Sequence, residues 1–337
     1  MPTLGAMQRH SPTNILDAIG STPLVEVEPG IFAKFEFLNP SGSIKARIAR
    51  YMVEAAEARG ELEPGMTIVE ASSGNTGNAL AMVAAAKGYR MVVVMPKGLS
   101  SERAAISRAF GAEVLRVGTF HVKQAREAAI ELGEQPGYFC TRQFDSEDNV
   151  AENREWLGPE ILAELPSEPD AFVMGVGTGG TLIGVGQALK ARYPKVRLVA
   201  VEPEESCTIL CGEVHHHRIE GIADGFIPTI YERHRDLVDQ VIPVTSLEAV
   251  KVMRELARRG WFVGPSSGAN LVVARRVREQ LGEGATIVTI FADEGEKYLT
   301  EYFLLRSELA AILEASHDDA WVEASGGLSA PEPHRVP

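Results

Sequence analysis

The chain has 337 residues, 46 of them acidic and 33 basic, for a formal charge of −13. That balance argues against a general nucleic-acid binder, which shows a basic face. The longest uninterrupted apolar run, Ala79–Ala86, falls far short of the roughly 20 residues that span a bilayer.

In chain order, Ile31–Phe37 reads as the first strand and Ile48–Arg59 as the first helix. Strand Thr67–Glu70 precedes an alanine-rich helix, Thr76–Gly88. Strand Met91–Met95, helix Ser101–Phe110, strand Glu113–Val117 and helix Ala125–Leu132 complete a first block. A second block runs through strand Ala171–Gly175, helix Leu182–Tyr193, strand Val196–Glu202, helices Leu247–Arg259 and Ala269–Leu281, and strand Thr286–Phe291. Several strands are apolar almost throughout, as strands covered on both faces tend to be. The alternation predicts an α/β protein with mostly parallel sheets. The polar segment Asp145–Glu155 reads as the seam between the blocks, and Ser316–Pro337 as a mobile polar tail. The three cysteines, Cys140, Cys207 and Cys211, read as reduced thiols. With a polar segment 1–14, they suggest the cytoplasm.

Four glycine- and serine-rich segments adjoin strands, where α/β proteins bind ligands. In Asn39-Pro40-Ser41-Gly42-Ser43-Ile44-Lys45, the lysine lies in the first turn of a helix. The helix terminus already carries partial positive charge there. Its ammonium is disfavoured, and its amine can serve as a nucleophile or Schiff-base partner. Ser72-Ser73-Gly74-Asn75-Thr76-Gly77 offers backbone N–H groups and hydroxyls to an anion. Gly175-Val176-Gly177-Thr178-Gly179-Gly180-Thr181 satisfies G-x-G-x-x-G, and Glu202 ends the next strand. By itself this segment also fits a dinucleotide enzyme. Its two threonines suit direct wrapping of a terminal phosphate. Gly264-Pro265-Ser266-Ser267-Gly268 opens the last helix.

The order of these motifs resembles the fold type II pyridoxal-phosphate enzymes, in the cysteine synthase and cystathionine β-synthase branch. The likeness runs from Ile19-Gly20-Ser21-Thr22-Pro23 to Gly295-Glu296-Lys297-Tyr298-Leu299. It displaces the dinucleotide reading. It implies two three-layer α/β/α units, as in tryptophan synthase β, with pyridoxal 5'-phosphate in the cleft between them. A smaller mobile domain would comprise residues 41–149, a larger one residues 1–40 with 150–315, and the tail residues 316–337. Lys45 would bind the cofactor and take the substrate's α-proton. Asn75 would meet the ring oxygen, and Ser266 the ring nitrogen. Gly177, Thr178, Gly179, Gly180 and Thr181 would hold the phosphate. Ser72, Ser73, Asn75, Thr76 and Gln143 would grip the substrate carboxylate, with Gly221 and Asp224 at the pocket mouth.

The implied reaction is β-replacement on an O-activated serine, O-acetylserine foremost, or on serine. It passes through an α-aminoacrylate, and sulfide or a thiol adds at Cβ. A serine–homocysteine condensation, a serine or threonine dehydratase and an inactive binding protein are the alternatives. Asn75-Thr76-Gly77 favours the synthase, since dehydratases of this fold usually carry His after the Asn. The resemblance further implies a cytoplasmic homodimer with small-molecule partners and neither nucleic acid nor membrane.

The sequence departs from the family pattern at Ala46, at Ala71-Ser72 and at Glu220-Gly221-Ile222-Ala223-Asp224-Gly225-Phe226. Asp224 puts a carboxylate near the pocket mouth. Cys207, Cys211 and His215-His216-His217 match no common zinc spacing and read as an exposed loop, with no metal site. Trp156, Trp261 and Phe262 read as packing residues.

Overall fold

The computed structural model describes residues 14–97, 101–119 and 122–303. Ten strands occur among them: β1 (Leu24–Glu28), β2 (Ile31–Phe35), β3 (Thr67–Ala71), β4 (Arg90–Pro96), β5 (Glu113–Val117), β6 (Tyr138–Cys140), β7 (Ala171–Gly175), β8 (Arg197–Pro203), β9 (Gln240–Val244) and β10 (Ile287–Phe291). They form a six-stranded sheet in the order β1-β2-β10-β7-β8-β9 and a four-stranded sheet in the order β5-β4-β3-β6. Every pairing is parallel except that of β1 with β2.

Each sheet is buried on both faces, which explains the nearly unbroken apolar runs. In the six-stranded sheet, Val173, Val199, Val201 and Ile287 point to one side. There they pack on Ala249 and Leu256 of helix Ser246–Arg258 and on Leu271 and Val277 of helix Pro265–Leu281. Phe172, Leu198, Ala200 and Val288 point the other way, onto Leu182, Val185 and Leu189 of helix Gly180–Arg192. The four-stranded sheet divides in the same way. Ile68, Met91, Val93 and Met95 meet Ala79 and Val83 of helix Asn75–Lys87, and Ala49 and Val53 of helix Lys45–Arg59. Val69, Val92 and Val94 meet Ala125 and Ala129 of helix Val122–Gly133. Both sheets therefore make helix–sheet–helix layers, the α/β/α architecture that the resemblance implies.

The start of helix Lys45–Arg59 is pinned by buried charge. Arg47, 1% exposed, donates to Glu36 at 2.7 and 2.9 Å and to Glu160 at 2.9 and 2.6 Å. Removing one member of such a network leaves a buried charge unpaired, which typically costs about 3–5 kcal/mol. The helix ends at Gly60, whose φ of 70° suits glycine.

The segment Asp145–Glu155, expected as the seam, lies between β6 of the four-stranded sheet and β7 of the six-stranded one, and from Glu147 it is helical. Helix Glu147–Glu152, capped by Ser146, continues into a π-helical turn, Asn153–Leu157, and then helix Gly158–Glu164. Three of its polar residues, Asn149, Glu152 and Asn153, are buried, while Glu147, Arg154 and Glu155 are exposed.

The cysteine reading is corrected as well. Cys207 and Cys211 are joined in a disulfide, and Cys140 is free. The chain turns between the pair, with Cys211 N donating to Cys207 O at 3.0 Å, so their Cα atoms come within 5.2 Å. Cys207 is buried, so this segment is only partly an exposed loop. Trp261 packs near Phe35 and Phe291, and Trp156 against Tyr51, as expected of packing residues.

The described residues up to Lys297 belong to one compact unit, and Tyr298–Phe303 to a second. In the second, the described part is a short π-helical turn, Leu299–Phe303. The expected tail, Ser316–Pro337, lies outside the described residues.

Candidate active site

Three strand ends and four helix starts build the site. β3 runs into Ser72-Ser73-Gly74 and helix Asn75–Lys87. β7 runs into Val176-Gly177-Thr178-Gly179 and helix Gly180–Arg192. β10 runs into Asp293, and helices Lys45–Arg59 and Pro265–Leu281 begin beside it. Ile44 N donates to Ala292 O at 2.8 Å, Gly264 N to Asp293 O at 3.0 Å and Ala292 N to Ser267 Oγ at 3.0 Å. These bonds tie both helix starts to the β10 end.

The glycine loop after β7 is a cradle that admits no side chain. A Cβ on Gly177 would lie 2.5 Å from Gly221 O, and one on Gly180 would lie 2.0 Å from Asn149 Oδ1. Gly179 has φ +85°, which disfavours other residues. Gly179, the N-cap of helix Gly180–Arg192, has no side chain to cap it; Gly180 N is taken by Thr178, and the N–H groups that follow in the first turn suit an anion. Thr178 and Thr181 stand beside them, both buried. Thr178 Oγ1 accepts from Asn149 Nδ2 at 2.9 Å and from Gly180 N at 3.3 Å.

The lysine end is built from charge. Lys45 is half-buried, and burial presses its ammonium below the usual lysine range. The carboxyls of Asp224, Asp293 and Glu152 pull it back upward. Burial pushes Asp224 up to about 6, opposed by Lys45. Burial also pushes Glu152 up to about 8, with Arg47 the strongest opposing group. Neither Glu152 oxygen has a hydrogen bond, and Arg47 Nη1 stands 3.9 Å away. Asp293 is held by Asn75, whose Nδ2 donates to Oδ2 at 2.6 Å. Ser266, also buried, makes no hydrogen bond through its hydroxyl to a described residue.

The loop after β3 and Gln143 form a third wall. Ser72 Oγ accepts from Gly74 N and Gly77 N, each at 3.0 Å, so that oxygen shapes the loop. Thr76 Oγ1 donates to Gln143 Oε1 at 2.7 Å, and Gln143 Nε2 donates to Ala71 O at 2.7 Å. Ser73 is half-buried beside them. Glu70 lies beneath, accepting from Gln143 N at 2.9 Å, from Thr141 Oγ1 at 2.5 Å and from Ala71 N at 2.7 Å. Burial raises Glu70 to about 7 against those bonds.

The fourth wall is the loop through Gly221 and Asp224. Gly221 and Gly225 have φ of 92° and 91°, and Ala223 has φ 53° without being glycine. Ala223 is held there: its N donates to Val176 O at 3.0 Å, and its O faces His217 Nε2 at 3.2 Å. His217 Nδ1 accepts from Ile219 N at 3.2 Å. That assigns the ring hydrogen to Nε2. Burial lowers the pKa of His217, which favours this neutral form.

The sequence matches the family described as "Pyridoxal-phosphate dependent enzyme" across residues 15–293. The chain belongs to that family. It is 42% identical to a cysteine synthase of Staphylococcus aureus over 297 residues, 85% of this chain and 95% of that protein. It is 41% identical to an O-ureido-L-serine synthase of Streptomyces lavendulae, over 92% of this chain and 96% of the other. The crystal structure of an O-acetylserine-dependent cystathionine β-synthase from Helicobacter pylori superposes with a TM-score of 0.83 at 37% identity, covering 88% of this chain and 100% of that one. The protein is an enzyme of the cysteine synthase type that performs β-replacement with pyridoxal phosphate.

The cradle suits this cofactor. A phosphate with three free oxygens needs uncapped N–H groups and hydroxyls and no adjacent carboxylate. The glycine loop and Thr178 and Thr181 offer that donor set. Sequence reading missed five residues of this pyridoxal-phosphate enzyme's site: Glu70, Asn149, Glu152, His217 and Asp293. Glu70 and Asp293 each stand at or just past the end of an apolar strand, a position that could have marked them. Asn149 and Glu152 lay in a segment taken for a polar seam, and His217 in one taken for an exposed loop.

Proposed function

We propose that the enzyme replaces the O-substituent of an activated L-serine, O-acetylserine foremost, with sulfide or a thiol, giving L-cysteine or a cysteine derivative. One observation carries this reading: a half-buried lysine amine, disfavoured as an ammonium, set among three carboxyls on the same side of the fold as an uncharged anion cradle. The activated serine is supported by the O-acetylserine dependence named for the Helicobacter pylori relative.

Pyridoxal phosphate, when bound, supplies the electron sink for the bond broken at Cα. Gly177, Thr178, Gly179, Gly180 and Thr181 would hold its phosphate. Asn75 has one amide hydrogen committed to Asp293 and would offer the other to the ring oxygen. Ser266 would meet the ring nitrogen with a neutral hydroxyl, which need not keep that nitrogen protonated. Lys45 Nζ would bond to the cofactor's aldehyde carbon. Once the substrate amine releases it, it would take the α-proton, a role its lowered pKa supports. Ser72, Ser73, Asn75, Thr76 and Gln143 would bind the substrate carboxylate through neutral donors, with Glu70 holding Gln143 in place. Gly221 and Asp224 would border the β-substituent. Residues 41–149 would move as a lid against residues 1–40 and 150–315, excluding water.

A cytoplasmic homodimer with small-molecule substrates and no nucleic-acid or membrane partner completes the proposal. The acidic charge of −13 supports the absence of nucleic acid. No helix among the described residues is long and apolar enough to cross a membrane. The Cys207–Cys211 disulfide runs against a reducing compartment, so the cysteines no longer support that placement. Size-exclusion chromatography with light scattering tests the dimer, and cell fractionation the compartment.

The decisive experiment offers O-acetylserine, serine, phosphoserine and homocysteine in pairs with sulfide to the yellow holoenzyme. Cysteine from O-acetylserine and sulfide is the expected product. Cystathionine from serine and homocysteine would replace this reading with the condensation. Keto acid released without any nucleophile would replace it with a lyase. No reaction with any pair would leave a binding protein.

A further inference from the structure

Asp224 is the site residue that the replacement chemistry above leaves without a task. It is half-buried and makes no hydrogen bond to a described residue. The one charged group that acts on it is Lys45; Asp293 and Glu152 act on Lys45 instead. The backbone that presents it is held in an unfavourable conformation. Ala223, immediately before it, sits at φ 53° between two glycines that also have positive φ. The bonds from Ala223 to Val176 O and His217 Nε2 keep it there. Strain of that kind costs on the order of 1–3 kcal/mol and persists where the surroundings over-determine it. The same loop runs close to the buried hydroxyl of Ser266, which lies 4.0 Å from where a Cβ on Gly221 would be. A half-buried carboxylate with no hydrogen bond to a described residue, presented by a pinned loop that runs beside Ser266 and acting electrostatically on Lys45, is placed to exchange a proton with the substituent at Cβ.

We propose that Asp224 is the general base for the incoming nucleophile, taking the proton of a neutral O–H, N–H or S–H group as that group bonds to Cβ. This rests on the β-replacement reading above. In the first half of the reaction Lys45 Nζ takes the α-proton, and the O-substituent leaves Cβ with its bonding electrons. In the second half the nucleophile's lone pair forms the new bond at Cβ. Its proton passes to a carboxylate oxygen of Asp224, and Lys45 returns its own proton to Cα. Asp224 then releases its proton to solvent. Hydrosulfide needs no such base, because it attacks as an anion and keeps its hydrogen in the product thiol. A neutral hydroxyl or amine cannot add without losing a proton. Asp224 thus widens the site from hydrosulfide to neutral, weakly acidic nucleophiles.

The test follows the absorbance of the bound cofactor in holoenzyme by stopped flow. O-acetylserine is added first, and the change it induces is recorded. Either hydrosulfide or N-hydroxyurea, a neutral O–H nucleophile, is then added, and the return of the spectrum is timed. General bases contribute about 10²–10⁴-fold. In Asp224→Asn the return with hydroxyurea should slow about a hundredfold more than the return with hydrosulfide. Asp224→Glu should restore part of the difference. Equal slowing with both nucleophiles would reduce Asp224 to a structural residue and overturn the proposal. Equal rates in Asp224→Asn and the unaltered enzyme would overturn it too. Absence of any donor-induced change in the unaltered enzyme would overturn the β-replacement reading and this inference together. A donor-induced change with no selective slowing sinks this inference alone.

Discussion

The two ends of the site solve different problems with different materials. At the cradle, residues 175–181 place no ionisable side chain against the anion. Close backbone approach, two buried threonines and an uncapped helix provide the binding. At the lysine end, one amine is set among three carboxyls, two of them raised by burial to about 6 and about 8. The cradle has only to hold a permanent anion, so fixed dipoles serve it and a mobile counter-charge is unnecessary. In the proposed mechanism the lysine end has to gain and lose protons, and burial shifts Lys45 down and Asp224 and Glu152 up. Asn149 connects the cradle to a further wall of the site. It donates to Thr178 Oγ1 in the cradle and to Gln143 O in the substrate wall, each at 2.9 Å.

The contrast can be broken from either end. The largest effect is expected at the amine. Lys45→Ala should lower turnover about a thousandfold or more, measured as cysteine formation, because in the proposed mechanism one group serves as both cofactor ligand and base. A variant with more than a tenth of normal turnover would remove Lys45 from the chemistry. The next largest falls on the cradle. Gly180→Ala drives a methyl group to within 2.0 Å of Asn149 Oδ1. Pyridoxal phosphate titrated into the apo-protein should bind about tenfold or more weakly, corresponding to roughly 1.4 kcal/mol. Unchanged affinity would mean that the cradle is not the phosphate site.

Asn149→Ala tests the link between the cradle and the substrate wall. It removes three buried hydrogen bonds, to Gln143 O, to Thr178 Oγ1 and from Asn153 Nδ2, and leaving a buried partner unpaired costs about 1–3 kcal/mol of stability. It should weaken cofactor binding and raise the KM for O-acetylserine together. A change in only one of them would show that the two walls act independently.

The smallest effect belongs to Glu152. Its folded-state pKa, about 8, lies above the ordinary 4.5, so the folded protein holds this proton more tightly than the unfolded chain. The resulting stability is complete below pH 4.5 and is lost as pH rises through 8. Glu152→Gln cannot ionise and escapes that loss. Its Tm relative to the unaltered protein should climb by a few degrees between pH 6 and pH 9. A constant difference across that range would mean that Glu152 is not carried as the neutral acid.

The strands that could be read from the sequence were mainly the central ones. β2, β3, β4, β7, β8 and β10 lie inside their sheets and show as apolar runs. Three of the four edge strands escaped notice, each for a local reason. β1 alternates as Leu-Val-Glu-Val-Glu, β6 has only three residues and β9 contains Pro243. An edge strand needs burial on fewer sides and tolerates proline, so its composition carries less signal. The polar segment after Asp145 hid site residues for another reason. Asn149 and Asn153 are polar because they satisfy buried partners, and composition alone does not separate such residues from solvated ones.

The sequence by itself determined the layered α/β plan, the family and the four glycine- and serine-rich loops. The plan rests on apolar runs where strands are covered on both faces and on the chemistry of helix starts, and the family on the order of the four motifs, which resembles that of the fold type II enzymes. Only the tertiary structure decided which carboxyls gather around Lys45, which amide joins cradle to substrate wall, and that Cys207 and Cys211 pair. Asp224 and Asp293 lie 179 and 248 residues from Lys45 by their numbers in the chain (224 − 45 and 293 − 45). No periodicity or spacing encodes such a meeting. It arises because parallel strands direct their carboxyl ends, and the loops that follow, to one side of each sheet.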